Sequence, residues 1–303
     1  MGIETGDNQK ASPRGGLVGA VDCIDSYPFF VEPFHVDFTG RIFLGVLGNH
    51  MLNAAGNHSQ RRGWGIGALN ETRHTWVLSR LAIEMNEMPR QYEHCEVRTW
   101  VKSVMRYFTN RNFSIHRADG TPLGYARSVW AMIDLETRQP CNLLTLYDGD
   151  ILNYIVEEDQ SLPLGGDWGF RVATKCGYGP HKGEQVPTCD GGRWKGAFCP
   201  IEGHTSFRFR EPQLLRTIDT YYSDVDINGH INSIKYIEHI LDLFPKERFE
   251  QQSIRRFEIA YKAESYLGDR LSFYEQVVDR NETDIEVRKT DGTVVCQAKV
   301  CFK

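Results

Sequence analysis

Apolar positions along the chain change period several times, and the changes come in the same order twice. After a polar, Gly-rich stretch over residues 1–26 that predicts no fixed structure, a helix opens near Gly48 and runs to Ala55 before the Gly-rich segment 62–67 interrupts it. β-rich segments follow over 75–83, 93–101, 107–116 and 124–135, and Asp119-Gly120 between the last two is a hairpin turn signal because both residues tolerate positive φ. Residues 161–196 are dense in Gly and Pro and show neither period, so 151–212 reads as a linker or insertion. Regular pattern resumes near Thr217. Ile231, Ile234, Ile237, Ile240, Leu241 and Phe244 then follow helical spacing until Pro245 stops the run, and strands are expected over 254–261, 270–278, 283–289 and 293–302.

A faint internal repeat supports duplication: the segment from Ala118 to Thr121, ahead of Gly124 to Trp130, parallels the segment from Thr290 to Thr293, ahead of Cys296 to Val300. The period is far longer than that of a solenoid, so the expectation is two copies of one domain, over residues 27–150 and 213–303. A long helix laid across an antiparallel sheet, twice over, is an α+β architecture.

Composition narrows the function without naming it. The 303 residues are 41% hydrophobic and 25% charged, ordinary for a globular protein, and 35 Lys+Arg against 40 Asp+Glu leave a net charge of −5. A pI near 6.1 gives no global footprint for nucleic acid. The longest uncharged apolar run, from Ile42 to Gly48, is too short to span a bilayer, and the apolar run from Leu17 to Val21 is too short for a secretory signal. Eight scattered cysteines without a CxxC pair read as reduced thiols, and a cytoplasmic protein is the expectation.

The densest polar constellation is the run from Ser223 to Ser233, at the entrance to the second helix. Asp226, Asn228 and His230 alternate there, so in extended backbone they share one side. Gly229 and a helix N-terminus beside them supply backbone donors for a developing oxyanion. The plainer reading makes Asp226 or Asn228 a helix cap and His230 a hydrogen-bonded core residue. Cys176, His181, Cys189, Cys199 and His204 fit no compact zinc pattern, and Gly63, Gly65 and Gly67 lack the strand–helix frame of a dinucleotide fingerprint.

The run from Ser223 to Tyr236 resembles the signature of the acyl-acyl carrier protein thioesterases of plants and bacteria. The run from Phe257 to Ser265 resembles that family's second catalytic segment, and Glu32 to Asp37, Thr75 to Arg80 and Ala126 to Met132 extend the resemblance into the first half. It implies two tandem hot-dog domains that hydrolyse the thioester of fatty acyl-acyl carrier protein, with acyl carrier protein as partner; a thioester carbonyl is already electrophilic, so no metal is required, and no cofactor motif is visible in the sequence. It also implies Asp226, Asn228, His230 and Glu264 as the catalytic set. Glu264 is expected to be the base, Asn228 and His230 to position water or polarise the carbonyl, and Asp226 to orient one of them. Plant members often carry a cysteine after the glutamate; Ser265 stands there instead, which favours direct attack by water.

Aligning the strands of the halves sets Met88 opposite Glu264. His50 can be set opposite His230, with Val46 and Gly48 then facing Asp226 and Asn228, so the first copy would lack both carboxylates and serve to hold substrate. Met51, Leu52, Trp76 and Met88 are the candidate lining of an acyl tunnel. Arg61, Arg62, Arg73, Lys235, Arg255, Arg256 and Lys262 are the candidate docking cations for an acidic carrier. An acyl-CoA thioesterase and a non-catalytic acyl-binding module are the alternative readings, and a monomer or homodimer without membrane insertion is expected.

Overall fold

The computed structural model describes residues 23–156, 207 and 209–303. Its elements are β1 (Asp25–Phe30), α1 (Leu44–Arg61), α2 (Ile66–Glu71), β2 (His74–Met85), β3 (His94–Val104), β4 (Phe108–Arg117), β5 (Pro122–Asp134), β6 (Gln213–Asp219), α3 (Ser233–Leu241), α4 (Lys246–Gln251), β7 (Ile254–Tyr261), β8 (Arg270–Val277), β9 (Glu282–Lys289) and β10 (Val294–Phe302). The strands form one ten-stranded sheet in the order β1-β3-β4-β5-β2-β7-β10-β9-β8-β6, antiparallel throughout. Read inward from either edge, the order is the same for the two halves, so the α+β duplication expected from the repeat is present.

The halves meet at β2 and β7, where Leu81 pairs with Ile259, Ala82 with Glu258 and Ile83 with Phe257. Side chains alternate across a strand, so Leu81, Ile83, Phe257 and Ile259 share the face on which the helices pack, and all four are buried. The opposite face of the seam carries charge: Arg256 reaches Glu84 at 3.0 Å and also Glu258, which Arg80 reaches at 3.4 Å.

Helix α1 buries Leu44, Leu47, Met51, Ala54, Ala55 and His58, a stripe at helical spacing that faces the sheet core. It is longer than periodicity over 48–55 indicates because Gly45, Gly48 and Gly56 dilute the apolar signal at its start and end. Gly48 has a packing reason: a Cβ there would stand 2.7 Å from Ile234 Cδ1, so the absence of a side chain lets α3 approach. α3 starts at Ser233 rather than Ile231, because Val225 and Ile231 pair in extended backbone and Asn232 caps the helix by accepting from Ile234 N at 2.9 Å. It ends at Leu241. Pro245 is the N-cap of the next short helix rather than the stop of this one.

Asp25–Phe30, within and beyond the stretch expected to lack structure, pairs with β3 and forms one sheet edge. Asp119-Gly120 makes the expected turn, with Gly120 at φ +86° and Asp119 Oδ1 accepting from Thr121 N at 2.8 Å. Cys23, Cys95, Cys141, Cys296 and Cys301 are free thiols. Cys176, His181, Cys189, Cys199 and His204 lie outside the described residues. Among the described residues no helix is long and apolar enough to cross a membrane, and no group of His, Cys, Asp and Glu is arranged to hold a metal ion.

Candidate active site

Asp226 builds the turn that precedes α3. Its Oδ1 accepts from Asn228 N at 2.8 Å and His230 N at 3.3 Å, its backbone N–H donates to His230 O at 2.8 Å, and Gly229 takes φ +80° to close the loop. The carboxylate is thus engaged by the turn, and it orients Asn228 and His230 through their backbones. Ile231 N donates to Ser265 O at 2.9 Å, and His230 pairs with Tyr266, so the turn is stitched to the segment bearing Glu264.

Glu264 and His230 face each other across this stitch, with Nε2 3.7 Å from Oε2. Tyr266 OH donates to the same Oε2 at 3.1 Å, and its ring stands edge-on to the His230 imidazole at 5.2 Å. Arg138 holds the other oxygen, Oε1. Burial and the neighbouring Glu264 carboxylate push the Tyr266 phenol above its ordinary pKa, so it remains a donor at neutral pH. The Asn228 side chain bonds to no protein group among the described residues and lines a cavity, where its amide is open to a ligand.

Ser265 points the other way. It is 1% exposed, and its hydroxyl is bonded to that of Tyr236, itself buried in the core. A buried hydroxyl without a base beside it is no nucleophile, in keeping with attack by water.

The cavity beside Asn228 has a volume of ≈ 270 Å³ and runs from the α3 entrance into the first half, between α1 and the sheet. Asp226, Asn228, Asn232 and Ser233 contribute from the second half; Leu52, Trp76, Leu78 and Trp130 are among the apolar residues from the first. Two of the four expected lining residues are therefore placed there, Leu52 and Trp76. Met51 is not: it is fully buried in the core behind α1. Met88 is not either, lying on a separate cavity of ≈ 530 Å³ with Asp37, Arg41 and residues of α3 and α4. Helix geometry separates Met51 from Leu52, since adjacent residues point in different directions. Trp64, Trp130 and Ile66, which pattern alone did not single out, complete much of the wall.

The second cavity marks the first half's counterpart of the site. Asp37 Oδ1 accepts from Thr39 N at 2.7 Å and Arg41 N at 3.4 Å, Asp37 N donates to Arg41 O at 2.8 Å, and Gly40 takes φ +73°. Arg41 pairs with Arg90 as His230 pairs with Tyr266, and Ile42 N donates to Pro89 O as Ile231 N does to Ser265 O. Asp37, Thr39, Arg41 and Met88 are thus the structural twins of Asp226, Asn228, His230 and Glu264. The pairing of Met88 with Glu264 holds. That of His50 with His230, and of Val46 and Gly48 with Asp226 and Asn228, does not: His50 lies on α1, its ring stacked on Phe29 at 4.3 Å. The first copy keeps the turn carboxylate and lacks the other three groups.

The expected docking cations fall on separate elements. Arg62 is 9% exposed and donates to both oxygens of Asp25 at 2.9 and 3.0 Å, and Arg256 is engaged in the seam network, so neither offers its charge to a surface partner. Arg61, Arg73 and Arg255 are exposed, Arg73 with Glu136 at 2.8 Å; Lys235 pairs with Glu238 at 2.7 Å; Lys262 is exposed. Arg138 escaped notice because it comes from the other half, 126 residues from its partner in sequence.

Two helix-on-sheet units fused edge to edge, with a polar turn of one opening on an apolar cavity of the other, define a tandem hot-dog protein. Residues 26–147 match the acyl-ACP thioesterase N-terminal domain and residues 211–303 the C-terminal domain, and the chain belongs to the acyl-ACP thioesterase family. An acyl-ACP thioesterase from Bacteroides thetaiotaomicron is 46% identical, with a TM-score of 0.75 over 94% of this chain and 100% of that one. The 12:0-ACP thioesterase from Umbellularia californica shares the fold, with a TM-score of 0.69 over 95% of this chain and 99% of that one at 17% identity. The chloroplastic palmitoyl-acyl carrier protein thioesterase of Arabidopsis thaliana is 26% identical over 89% of this chain; the chain spans 58% of that relative's length.

Proposed function

We propose that this chain hydrolyses the thioester of fatty acyl-acyl carrier protein, releasing free fatty acid and the carrier thiol. The observation that carries the reading is Asn228 on the lining of an apolar cavity, with the His230–Glu264 pair held on the same turn and the segment stitched to it, where a chain held inside would present its thioester. Family membership supports the same reaction, and a role in fatty-acid synthesis follows from it. The cytoplasm is the proposed compartment for this chain, while the plant relatives are chloroplastic.

The acyl chain enters between α1 and the sheet, and the carbonyl stops near Asn228. Water bound at Glu264 Oε2 gives a proton to the carboxylate as its oxygen attacks the carbonyl carbon. The Asn228 amide and His230 Nε2 stabilise the developing oxyanion. Collapse of the tetrahedral species breaks the C–S bond, and the proton held on Glu264 passes to the departing sulfur. Arg138 and Tyr266 fix the carboxylate during both transfers, which confines the water to one approach. The carrier docks through the exposed cations Arg61, Arg73, Arg255 and Lys262 and the half-buried Lys235.

The test compares turnover of one acyl chain attached to acyl carrier protein and to coenzyme A. Higher kcat/KM on the carrier-linked substrate supports the proposal. Preference for coenzyme A makes the protein an acyl-CoA thioesterase, and tight acyl binding without turnover makes it an acyl-binding module.

A further inference from the structure

The acyl cavity ends on charge. Its lining crosses the first half's sheet from Trp76 and Leu78 on β2, through Trp130 on β5, to Thr109 and Arg111 on β4. β4 lies two strands from β2 on the side away from the second half, so Arg111 stands on the far side of the lining from the seam. Arg111 is 7% exposed, and among the described residues its guanidinium donates only to neutral hydroxyls, Thr99 Oγ1 at 3.2 Å and Ser59 Oγ at 3.2 Å. The nearby Asp25 is already bonded through both oxygens to Arg62, which lines the same end. His58, also in the lining, donates from Nε2 to Cys23 O at 3.1 Å and leaves Nδ1 buried without a partner among the described residues.

This is an expensive floor for a pocket that receives only methylenes. A buried cation with no carboxylate of its own, next to an imidazole with an unsatisfied nitrogen, is unfavourable unless a ligand group answers it. Burial and Arg62 hold the Arg111 guanidinium down at about 10, so it remains charged at neutral pH and donates to whatever enters. A terminal methyl pressed against it would strip its remaining hydration without replacing it; a distal oxygen would replace it.

Resting on the reading of this cavity as the acyl site, we propose that Arg111, with Arg62 and His58 beside it, forms a subsite for an oxygen function at the distal end of the acyl chain. The preferred substrates are then oxygenated acyl groups rather than plain alkanoyl groups of the same length. A hydroxyl satisfies Arg111 as an acceptor and can donate in turn; a carboxylate satisfies it by charge.

The experiment uses the full chain and acyl-carrier substrates matched in length, ending in methyl, hydroxymethyl or carboxylate. Expected is at least about tenfold higher kcat/KM for one oxygenated series over the methyl series at the lengths that reach Arg111, since a site with buried polar groups rejects analogues lacking their partner. The winning series tells a neutral acceptor from an anion. Arg111→Met, checked for folding by circular dichroism, reverses the order. Because the first comparison needs only the unmodified protein, a misfolded variant does not remove the test. Preference for methyl-ended chains at every length overturns the inference while leaving the thioesterase reading intact. If no acyl-carrier substrate is hydrolysed, that reading fails, and calorimetric binding of ω-hydroxy, ω-carboxy and unsubstituted fatty acids decides the subsite alone.

Discussion

His58 sits 1% exposed on the inner face of α1, and burial, reinforced by Arg111, pushes its pKa from 6.5 down to about 3. In the unfolded chain the same imidazole titrates at 6.5, so below that value the unfolded state binds the extra proton and stability falls as pH falls. Between pH 7 and pH 5 the folded imidazole stays neutral while the unfolded one becomes almost fully charged, a linkage cost of about 2 kcal/mol. The loss continues towards pH 3, where the folded group titrates too. His58→Gln keeps a donor for Cys23 O and removes the titration. Urea unfolding of both proteins at pH 7 and pH 5 isolates the group, because His50 and His116, also depressed by burial, are common to both. The variant is expected to lose about 2 kcal/mol less than the parent over that interval. An equal loss in the two proteins would refute a neutral buried His58.

Four further outcomes are expected. Glu264→Gln lowers kcat by about 10²–10⁴ with the fold intact, whereas Ser265→Ala changes kcat little; stopped-flow hydrolysis on one acyl-carrier substrate measures both, and a large loss in the serine variant would revive a covalent route. Arg138→Ala lowers kcat with little change in KM, since it frees the Glu264 carboxylate without touching the acyl cavity; unchanged kcat would remove its positioning role. Gly124→Ala destabilises by about 1–3 kcal/mol in thermal unfolding, because the new Cβ meets Glu84 O at 2.6 Å, a backbone atom that cannot swing aside; an unchanged melting temperature contradicts this. Reversing Arg61, Arg73 and Arg255 to Glu together raises KM for carrier-linked substrate and spares a short thioester without the carrier; equal effects on both would place docking elsewhere.

Strand and turn chemistry was legible in the sequence wherever it was local. The segment 254–261 has the bounds the alternation indicated, and the aspartate–glycine turn falls where its φ tolerance placed it. The edge strands were less so: β6 is largely exposed and shows little alternation of apolar residues. The candidate site was legible as one motif plus one glutamate because the turn that gathers them is encoded within a few residues. Arg138 was not, because its neighbour arises from pairing across the seam. The twin of His230 is hidden for a different reason: matching histidine with histidine leads to the helix, whereas the element that superposes is the aspartate–glycine turn before each helix, where Arg41 stands.

The turn of the second half opens on a cavity walled mainly by the first, Asn228 facing the space under α1, whereas Asp37 and Arg41 open on a space whose wall the two halves share. In the proposed mechanism, reaction chemistry and chain recognition are therefore divided between separate parts of the polypeptide. A piece ending before β6 keeps the wall without the base, and a piece beginning there keeps the base without the wall. Chimaeras that exchange whole halves between relatives would accordingly carry chain preference with the first half and bond cleavage with the second, provided the β2–β7 seam is transplanted as a matched pair.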